Sequence, residues 1–560
     1  MFSLKKIIFT SLLLHVLLLP VNSSIYYLSF LNGNDNNTGK DSSKAWKNCP
    51  GIDAYSGSGK LIPGDTVLFN SGDIWSITSG TQGVYLLGGV TYIGNVWGSG
   101  TRATILAKQD CEAGIVRFRD DAEKSTIFKG FVVDGNHYVG TGIDINHRYY
   151  SRMNGALKIV DNCDVKNTYS DQTKGQYKYG IIISNHGSAS SYCENVEILN
   201  TRVHDVSRDG ICLYPGDENA DCRIKNITVC GCEVYNTGQD PNYSAGAGII
   251  LKGYVESAII EYNYVHDTKG AGIFFNSNED NHFNNAGIVD AKVRFNIVNC
   301  SSNHGGIRVY DMSSGADKKD LKIYDNIIMN NNHTGGFYLD NDVCGKDNKI
   351  LFYNNTLFNT FVSISTPSAT YTTFEFVNNI VFYSKGTPIN GSKYFTKYIK
   401  NVTVNPQFND TSKLPTGFLG IYNSTAYPNS DGLNLSIHSN AIDSGLNLGP
   451  PYNVSINSKT RPLNTGWDIG AYEKDVITDN DREKLHRKGA TPHGLPLKGA
   501  FLHNLLQNNN STNPIYFKYV KNQIQVQMFR VDGKEVSSVL GSQIVTIRFS
   551  DTENMGNVNK

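Results

Sequence analysis

One short phrase, two residues followed by Asn, any residue and an apolar side chain, returns along the middle of the chain. It reads Glu261-Tyr-Asn-Tyr-Val265, Arg294-Phe-Asn-Ile-Val298, Tyr324-Asp-Asn-Ile-Ile328, Tyr353-Asn-Asn-Thr-Leu357 and Val377-Asn-Asn-Ile-Val381, with a looser copy at Ile198-Leu-Asn-Thr-Arg-Val203. A second phrase, Gly-Ile-x-apolar, follows about ten residues later in most copies: Gly180-Ile181, Gly210-Ile211, Gly248-Ile249, Gly272-Ile273, Gly306-Ile307 and, with Phe for Ile, Gly336-Phe337. The period is roughly 24 to 38 residues. Helical repeats of that length need ten-residue stretches of 3.6 periodicity, whereas these segments are short, β-branched, alternating and punctuated by Gly and Asn. A strand-turn-strand unit that cannot bury its own apolar face must stack on its neighbours, so the repeat predicts an all-β solenoid of parallel sheets. A β-sandwich would lack this register. The recurring Asn suits a left-handed turn, and stacked copies can bond along the axis as a ladder.

These phrases resemble those of right-handed parallel β-helix proteins of the pectate lyase type, a group that includes polysaccharide lyases, some glycoside hydrolases and uronan epimerases. The resemblance runs from about Ile25 to Glu473. Tyr27-Leu-Ser-Phe-Leu-Asn-Gly-Asn-Asp-Asn-Asn-Thr-Gly, with Ser43-Lys-Ala-Trp46, is similar to the opening segment of such exported proteins. Ile62-Pro-Gly-Asp-Thr-Val-Leu-Phe69 resembles their first coil. Asn405-Pro-Gln-Phe408, Ala441-Ile-Asp-Ser-Gly445, Arg461-Pro and Asp468-Ile-Gly-Ala-Tyr-Glu473 resemble the segment that closes many bacterial examples. The expected layout is therefore a leader (1–23), an opening segment and first coil (24–75), a β-helix of about ten coils (76–400), a closing segment (401–473) and a tail (474–560). In the tail, Gln525 to Val536 could form a small β element.

Lys5 and Lys6 precede a largely apolar run from Ile7 to Pro20, with Asn22, Ser23 and Ser24 after it, which is the pattern of a secretory signal peptide. The run is shorter than the roughly 20 apolar residues of a membrane span. Export is expected, with no membrane span, and the sequons Asn226-Ile-Thr, Asn332-His-Thr, Asn354-Asn-Thr, Asn401-Val-Thr and Asn453-Val-Ser would carry glycans in a eukaryotic host. A formal net charge of zero over 560 residues argues against nucleic acid as a partner. No C-x-x-C pair offers half of a zinc site, and the spacing of Cys222, Cys230 and Cys232 fixes no disulfide. A monomer is expected.

Alternation along each Gly-Ile strand points the Ile, and the residue two later, into the core. The outward residues then form two columns. One reads Ser184, Tyr214, Lys252, Asn276, Tyr310 and Asp340; the other Ile182, Cys212, Ile250, Phe274, Arg308 and Tyr338. Rings to stack on, with polar ends to read hydroxyls or carboxylates, are what an extended polysaccharide needs, although exposed strands also carry Tyr and Lys for β propensity alone. Turns feed this face, and on them His204-Asp205 and His266-Asp267 occupy matching places ahead of Gly210 and Gly272, with Arg208-Asp209 directly ahead of the first. β-Elimination from a uronate needs a base for the proton beside the carboxylate and positive charge for the developing enolate. By that logic Lys252 is the base, Arg208 and Arg308 stabilise charge, and His204 or His266 is the alternative proton carrier. Asp217, Glu218 and Asp221 form an acidic loop suited to calcium, a hard cation that prefers oxygen ligands. Hydrolysis would instead need two carboxylates, for which Asp209 with Asp267 or Asp205 are the candidates. Glycan binding without catalysis is the third alternative.

Overall fold

The computed structural model describes residues 23–475, apart from 53, 79–82, 112–113, 119–124, 148–155, 186–191, 217–221, 244–245, 278–286, 301–303, 312–318, 341–347, 366–372, 418–427 and 431, together with two later strands. Three parallel sheets account for nearly all of the regular structure, each coil giving one strand to each. The first sheet runs from Ile25–Leu28 to Lys397–Ile399, the second from Val84–Leu86 to Ile389–Asn390 and the third from Ile74–Ile77 to Ile380–Phe382. Among the described residues the second and third sheets have 11 strands each. Parallel strands joined by crossovers take the right-handed connection, so the chain is a right-handed parallel β-helix, as the repeat and the resemblance led us to expect. No helix among the described residues is long and apolar enough to cross a membrane.

The Gly-Ile phrase builds the second sheet. Ile181 pairs with Ile211, Ile211 with Ile249, Ile249 with Ile273 and Ile273 with Ile307, all fully buried in one core that extends from Tyr26 to Val381. The glycine before each Ile has a steric reason. A Cβ on Gly210 would stand 2.4 Å from Val234 Cγ1 and 2.6 Å from the Gly248 carbonyl oxygen, since the next coil passes directly over it.

The Asn phrase forms the corner between the first and third sheets. Asn263 Oδ1 accepts the Cys232 N–H at 2.9 Å, Asn296 Oδ1 accepts that of Asn263, and the chain continues through Asn326, Asn355, Asn379 and Asn401. The ladder is as expected, and in the looser copy Asn200 is itself left-handed at φ 47°, but in the five regular copies the left-handed residue is the one before the ladder Asn. Tyr262, Phe295, Asp325, Asn354 and Asn378 take φ between 52° and 58°, while the ladder Asn does not. The sequon at Asn354 is fully buried in this corner, so no glycan can attach there. Cys230 and Cys232 are free thiols, so neither joins a bridge to Cys222.

The closing segment does not add coils. It folds back over the Asn corner of the late coils, where Leu433, Ile456, Ala471 and Tyr472 pack on Tyr264, Phe295, Ile297, Ile327 and Met329. The chain divides into two compact units, Met1–Glu483 and Lys484–Lys560. In the latter, Ile515–Val520 pairs antiparallel with Gln523–Met528; the expected element from Gln525 therefore begins inside a strand, and its part beyond Met528 lies outside the described residues.

Candidate functional site

The outward columns are real but only partly open to solvent: Ile182, Cys212, Ile250, Ser184, Lys252 and Asn276 are buried, whereas Tyr214, Phe274, Arg308, Tyr310, Tyr338 and Asp340 are half-buried. Ile182, Cys212, Ile250, Phe274, Arg308 and Tyr338 stand level across successive strands. Their apolar members form a small cluster of their own with Tyr179 and Ala247, against which Tyr214 and Phe274 pack. In the parallel column, Ser184 is level with Tyr214 and Lys252 with Asn276, and Ser184, Lys252 and Asn276 are 1%, 3% and 8% exposed. The column then breaks. A bulge between Phe275 and Asn276 sets Asn276 opposite Asp311, so Tyr310 is out of the row in which alternation placed it.

Around Arg308 the side chains converge. Its guanidinium carbon lies 5.0 Å from the Phe274 ring centre, 5.3 Å from that of Tyr310 and 5.4 Å from that of Tyr338. Its Nη2 donates to Asp340 Oδ2, Nη1 lies 3.1 Å from His304 Nδ1, and Tyr338 Oη donates to Asp340 Oδ1 at 3.0 Å. Burial, and then the Asp340 charge, push the Tyr338 hydroxyl above its ordinary value. Rings on three sides and a carboxylate on the fourth fix the guanidinium in one orientation. Two coils earlier Lys252 sits with Nζ 5.7 Å from the Tyr214 ring centre. Arg308, Tyr310, Tyr338, Asp340, Phe274 and His304 thus form one group, and Tyr214, Lys252 and Asn276 a second beside it.

The other expected residues stand elsewhere. Arg208 and Asp209 occupy the turn between the third and second sheets, where Arg208 lies against Tyr177, Tyr179 and Tyr243 at 4.4 to 5.4 Å. Asp209 is 1% exposed, accepts the Ala247 N–H at 2.8 Å and faces Arg208 Nε at 3.6 Å. His204 and His266 lie on third-sheet strands Arg202–Val206 and Tyr264–His266, not on turns feeding the second sheet. Their rings stack on either side of Tyr235, at 4.7 and 4.8 Å. His204 bonds Asp205 and Asp164, while His266 bonds Asp267 and faces Glu233 at 3.7 Å. Asp209 is therefore not paired with Asp205 or Asp267, each of which is held by the histidine before it. Asp217, Glu218 and Asp221 lie outside the described residues, among which no group of three or more His, Cys, Asp or Glu is placed to hold a metal ion.

The column also extends earlier than the phrase suggested. Asp144 is level with Ile182, and Arg117 with Asp144 and Tyr85. Arg117 Nε lies 3.9 Å from Asp144 Oδ2, and its guanidinium carbon 5.0 Å from the Tyr85 ring centre. Gly142-Ile-Asp-Ile145 is one more copy of the Gly-Ile phrase and was the available signal for Asp144.

Residues 193–344 match the profile of a family described as "Disaggregatase related". No curated protein matches the chain. Among solved structures, a pectate lyase is similar at 15% identity and a TM-score of 0.41, over 81% of this chain and 97% of that one. A mannuronan C-5 epimerase module from Azotobacter vinelandii is similar at 14% and 0.35, over 60% and 86%, and a lacto-N-biosidase from Eubacterium ramulus at 12% and 0.39, over 68% and 67%. None of these likenesses carries a residue's role across to this chain.

Proposed function

We propose that this is an exported carbohydrate-active protein that holds a uronic-acid polysaccharide along the outer face of its second sheet and cleaves it by β-elimination. Lys252 would take the proton beside the sugar carboxylate, and Arg308, oriented by Asp340 and the surrounding rings, would stabilise the charge that develops. One observation carries the choice of chemistry. Of the carboxylates on this face whose side chains are described, Asp144 and Asp340 each face an arginine, and Asp209 in the turn before it is set on the Ala247 N–H beside Arg208. None is placed as the acid and nucleophile of a hydrolytic pair, which needs two carboxyl groups on either side of one bond. Calcium is part of the proposal only through the loop of Asp217, Glu218 and Asp221.

The test is absorbance of the unsaturated uronate while the protein is incubated with pectate, alginate or glycosaminoglycans, with and without a chelator. A rise that Lys252→Ala abolishes, by a factor of about 100 or more for loss of a general base, supports elimination. New reducing ends without absorbance would replace it with hydrolysis, and binding without either product would leave a glycan-binding protein.

A further inference from the structure

The closing segment is fastened to the β-helix by a buried cluster in which carboxyl groups outnumber cations. Arg461 Nη2 donates to Asp325 Oδ1 and to the Gly470 carbonyl, each at 2.8 Å. Its Nη1 donates to Glu473 Oε2 at 3.2 Å and to the Asp468 carbonyl at 2.9 Å. Asp325 is the left-handed residue of the corner, next to ladder Asn326, and the rest belong to the closing segment. Asp325, Asp468 and Glu473 are all fully buried, so three carboxyl groups share one guanidinium. Main-chain donors meet part of the demand: Glu473 Oε1 accepts the Leu463 N–H at 3.0 Å, and Asp468 accepts those of Asp443 at 2.9 Å and Lys474 at 2.6 Å. Asp325 Oδ2 has no hydrogen-bond partner.

The surroundings do not restore the balance. On the β-helix side Arg294 is held by Glu261 at 2.7 Å, so that pair adds no net charge. On the other side Asp443 adds a further negative charge beside Glu473. The hydroxyls of Tyr262, Tyr324 and Tyr452, packed about the corner, are pushed up by burial and stay neutral. An ionised carboxylate without a cation is far costlier to bury than a protonated one. The excess carboxyl groups therefore hold protons while the segment is closed, and titrate as a coupled set.

We infer that the closing segment is a proton-fastened strap: partly protonated, the cluster holds it over the Asn corner, and ionisation loosens it and bares Tyr264, Phe295, Ile327 and Met329 beneath. Those four residues pack on Leu433, Ile456, Ala471 and Tyr472 of the strap. Burial pushes Asp325 up to about 8 in spite of Arg461, and burial, with the Glu473 charge, pushes Asp468 up to about 6. Opening returns both to water and to the ordinary carboxyl range near pH 4. A group whose value is raised in the closed form favours closure fully below that range, and the contribution is lost as pH rises through the raised value. The strap is thus secure in acid and loosens on the alkaline side of neutrality.

The experiment is hydrogen exchange on the full-length protein at about pH 6 and about pH 9. The amides to follow are those that bond across from strap to corner, Gly470 to the Asn378 carbonyl, Leu446 to Asn378 Oδ1 and Ala471 to Thr356 Oγ1. Their protection is divided by that of the Ile143 and Ile181 amides in early coils, which cancels the intrinsic pH dependence of exchange. The ratio should fall about tenfold or more between the two pH values, as release of one proton over that range requires. In Asp325→Asn/Asp468→Asn it should stay level with pH, whatever its size at pH 6. A ratio that does not change in the natural protein overturns the inference without need of any variant. A fall as steep in the double variant, or in Asp468→Asn and Asp325→Asn singly should the double variant not fold, assigns the pH dependence to other groups and overturns it too.

Discussion

His204 Nε2 lies 3.0 Å from Asp164 and Nδ1 2.5 Å from Asp205, so the ring satisfies both carboxylates only when it carries two protons. Burial opposes that charge, but the two carboxylates outweigh it and raise the histidine above its ordinary value. Lys166 and Arg202 also face the pair, and Tyr235 covers the ring. A raised folded value means that the histidine's contribution is complete below about pH 6.5, the unfolded value, and is lost as pH rises through the folded one. The melting temperature should therefore fall across that range, and fall less in His204→Gln; equal slopes in the two proteins would refute the assignment. The ladder makes a sharper demand on a single side chain. Asn326 Oδ1 accepts from Asn296 N–H and Nδ2, while its own Nδ2 donates to the Val293 carbonyl at 2.9 Å. Asn326→Ala would strand these buried groups, at about 1–3 kcal/mol each, so we expect a loss of about 3 kcal/mol or more in urea unfolding. A loss under about 1 kcal/mol would mean that the corner does not depend on the ladder.

The elements differ in how openly the sequence announces them. Period-two alternation after Gly names the core-facing residues of the second-sheet strands, because successive side chains of a strand point to opposite faces; it does not show that the outward Ile182, Cys212 and Ile250 are buried too. Asn263 and its successors were legible as a ladder, yet the left-handed residue was not. The turn imposes positive φ on whichever side chain precedes the ladder, even Tyr262 and Phe295. The bulge at Asn276 carries no Gly or Pro to mark it, and the strand holding His204 was hidden because its His-Asp pair reads like a turn. Burial of Lys252 was equally hidden, since it depends on neighbours from other coils. The closing segment shows the same division. Its sequence marks an end, but not that Arg461 would be buried in the fold-back, bonded to Asp325 at 2.8 Å, Glu473 at 3.2 Å and the Gly470 carbonyl at 2.8 Å. All three charged side chains are 0% exposed, and burial pushes Asp325 up to about 8 against the pull of Arg461. Arg461→Ala leaves two buried acids without their cation, which costs about 3–5 kcal/mol. Hydrogen exchange should then show the amides of Asn354, Asn378 and Gly470 losing protection before those of the early coils. Uniform loss along the chain would show instead that the segment is no local clamp.

Across the β-helix, strand pairing joins each coil to the coils before and after it, with a few side chains such as Arg102, bonded to Asn162, reaching one coil further, so stability is close to a sum of coil terms and neighbour terms. Cooperativity then depends on every interface in the series, and a single weak one can divide the molecule. Ile249 is the central place to create it. Its side chain is fully buried and its strand pairs with those of Ile211 and Ile273. Ile249→Asn would remove apolar contacts and bury an amide with no partner in that layer, a combined cost of about 4 kcal/mol or more. The four tryptophans are distributed so that the two ends can be read separately, with Trp46, Trp75 and Trp97 in the first coils and Trp467 in the closing segment. In the natural protein, fluorescence with and without Trp467→Phe should give one midpoint in denaturant, as expected of a single continuous core. In the Ile249→Asn background the two should separate. If they still coincide, coupling along the axis is stronger than a nearest-neighbour stack allows, and the closing segment, which packs on the coils from Tyr264 onward, does not confine its effect to the late half.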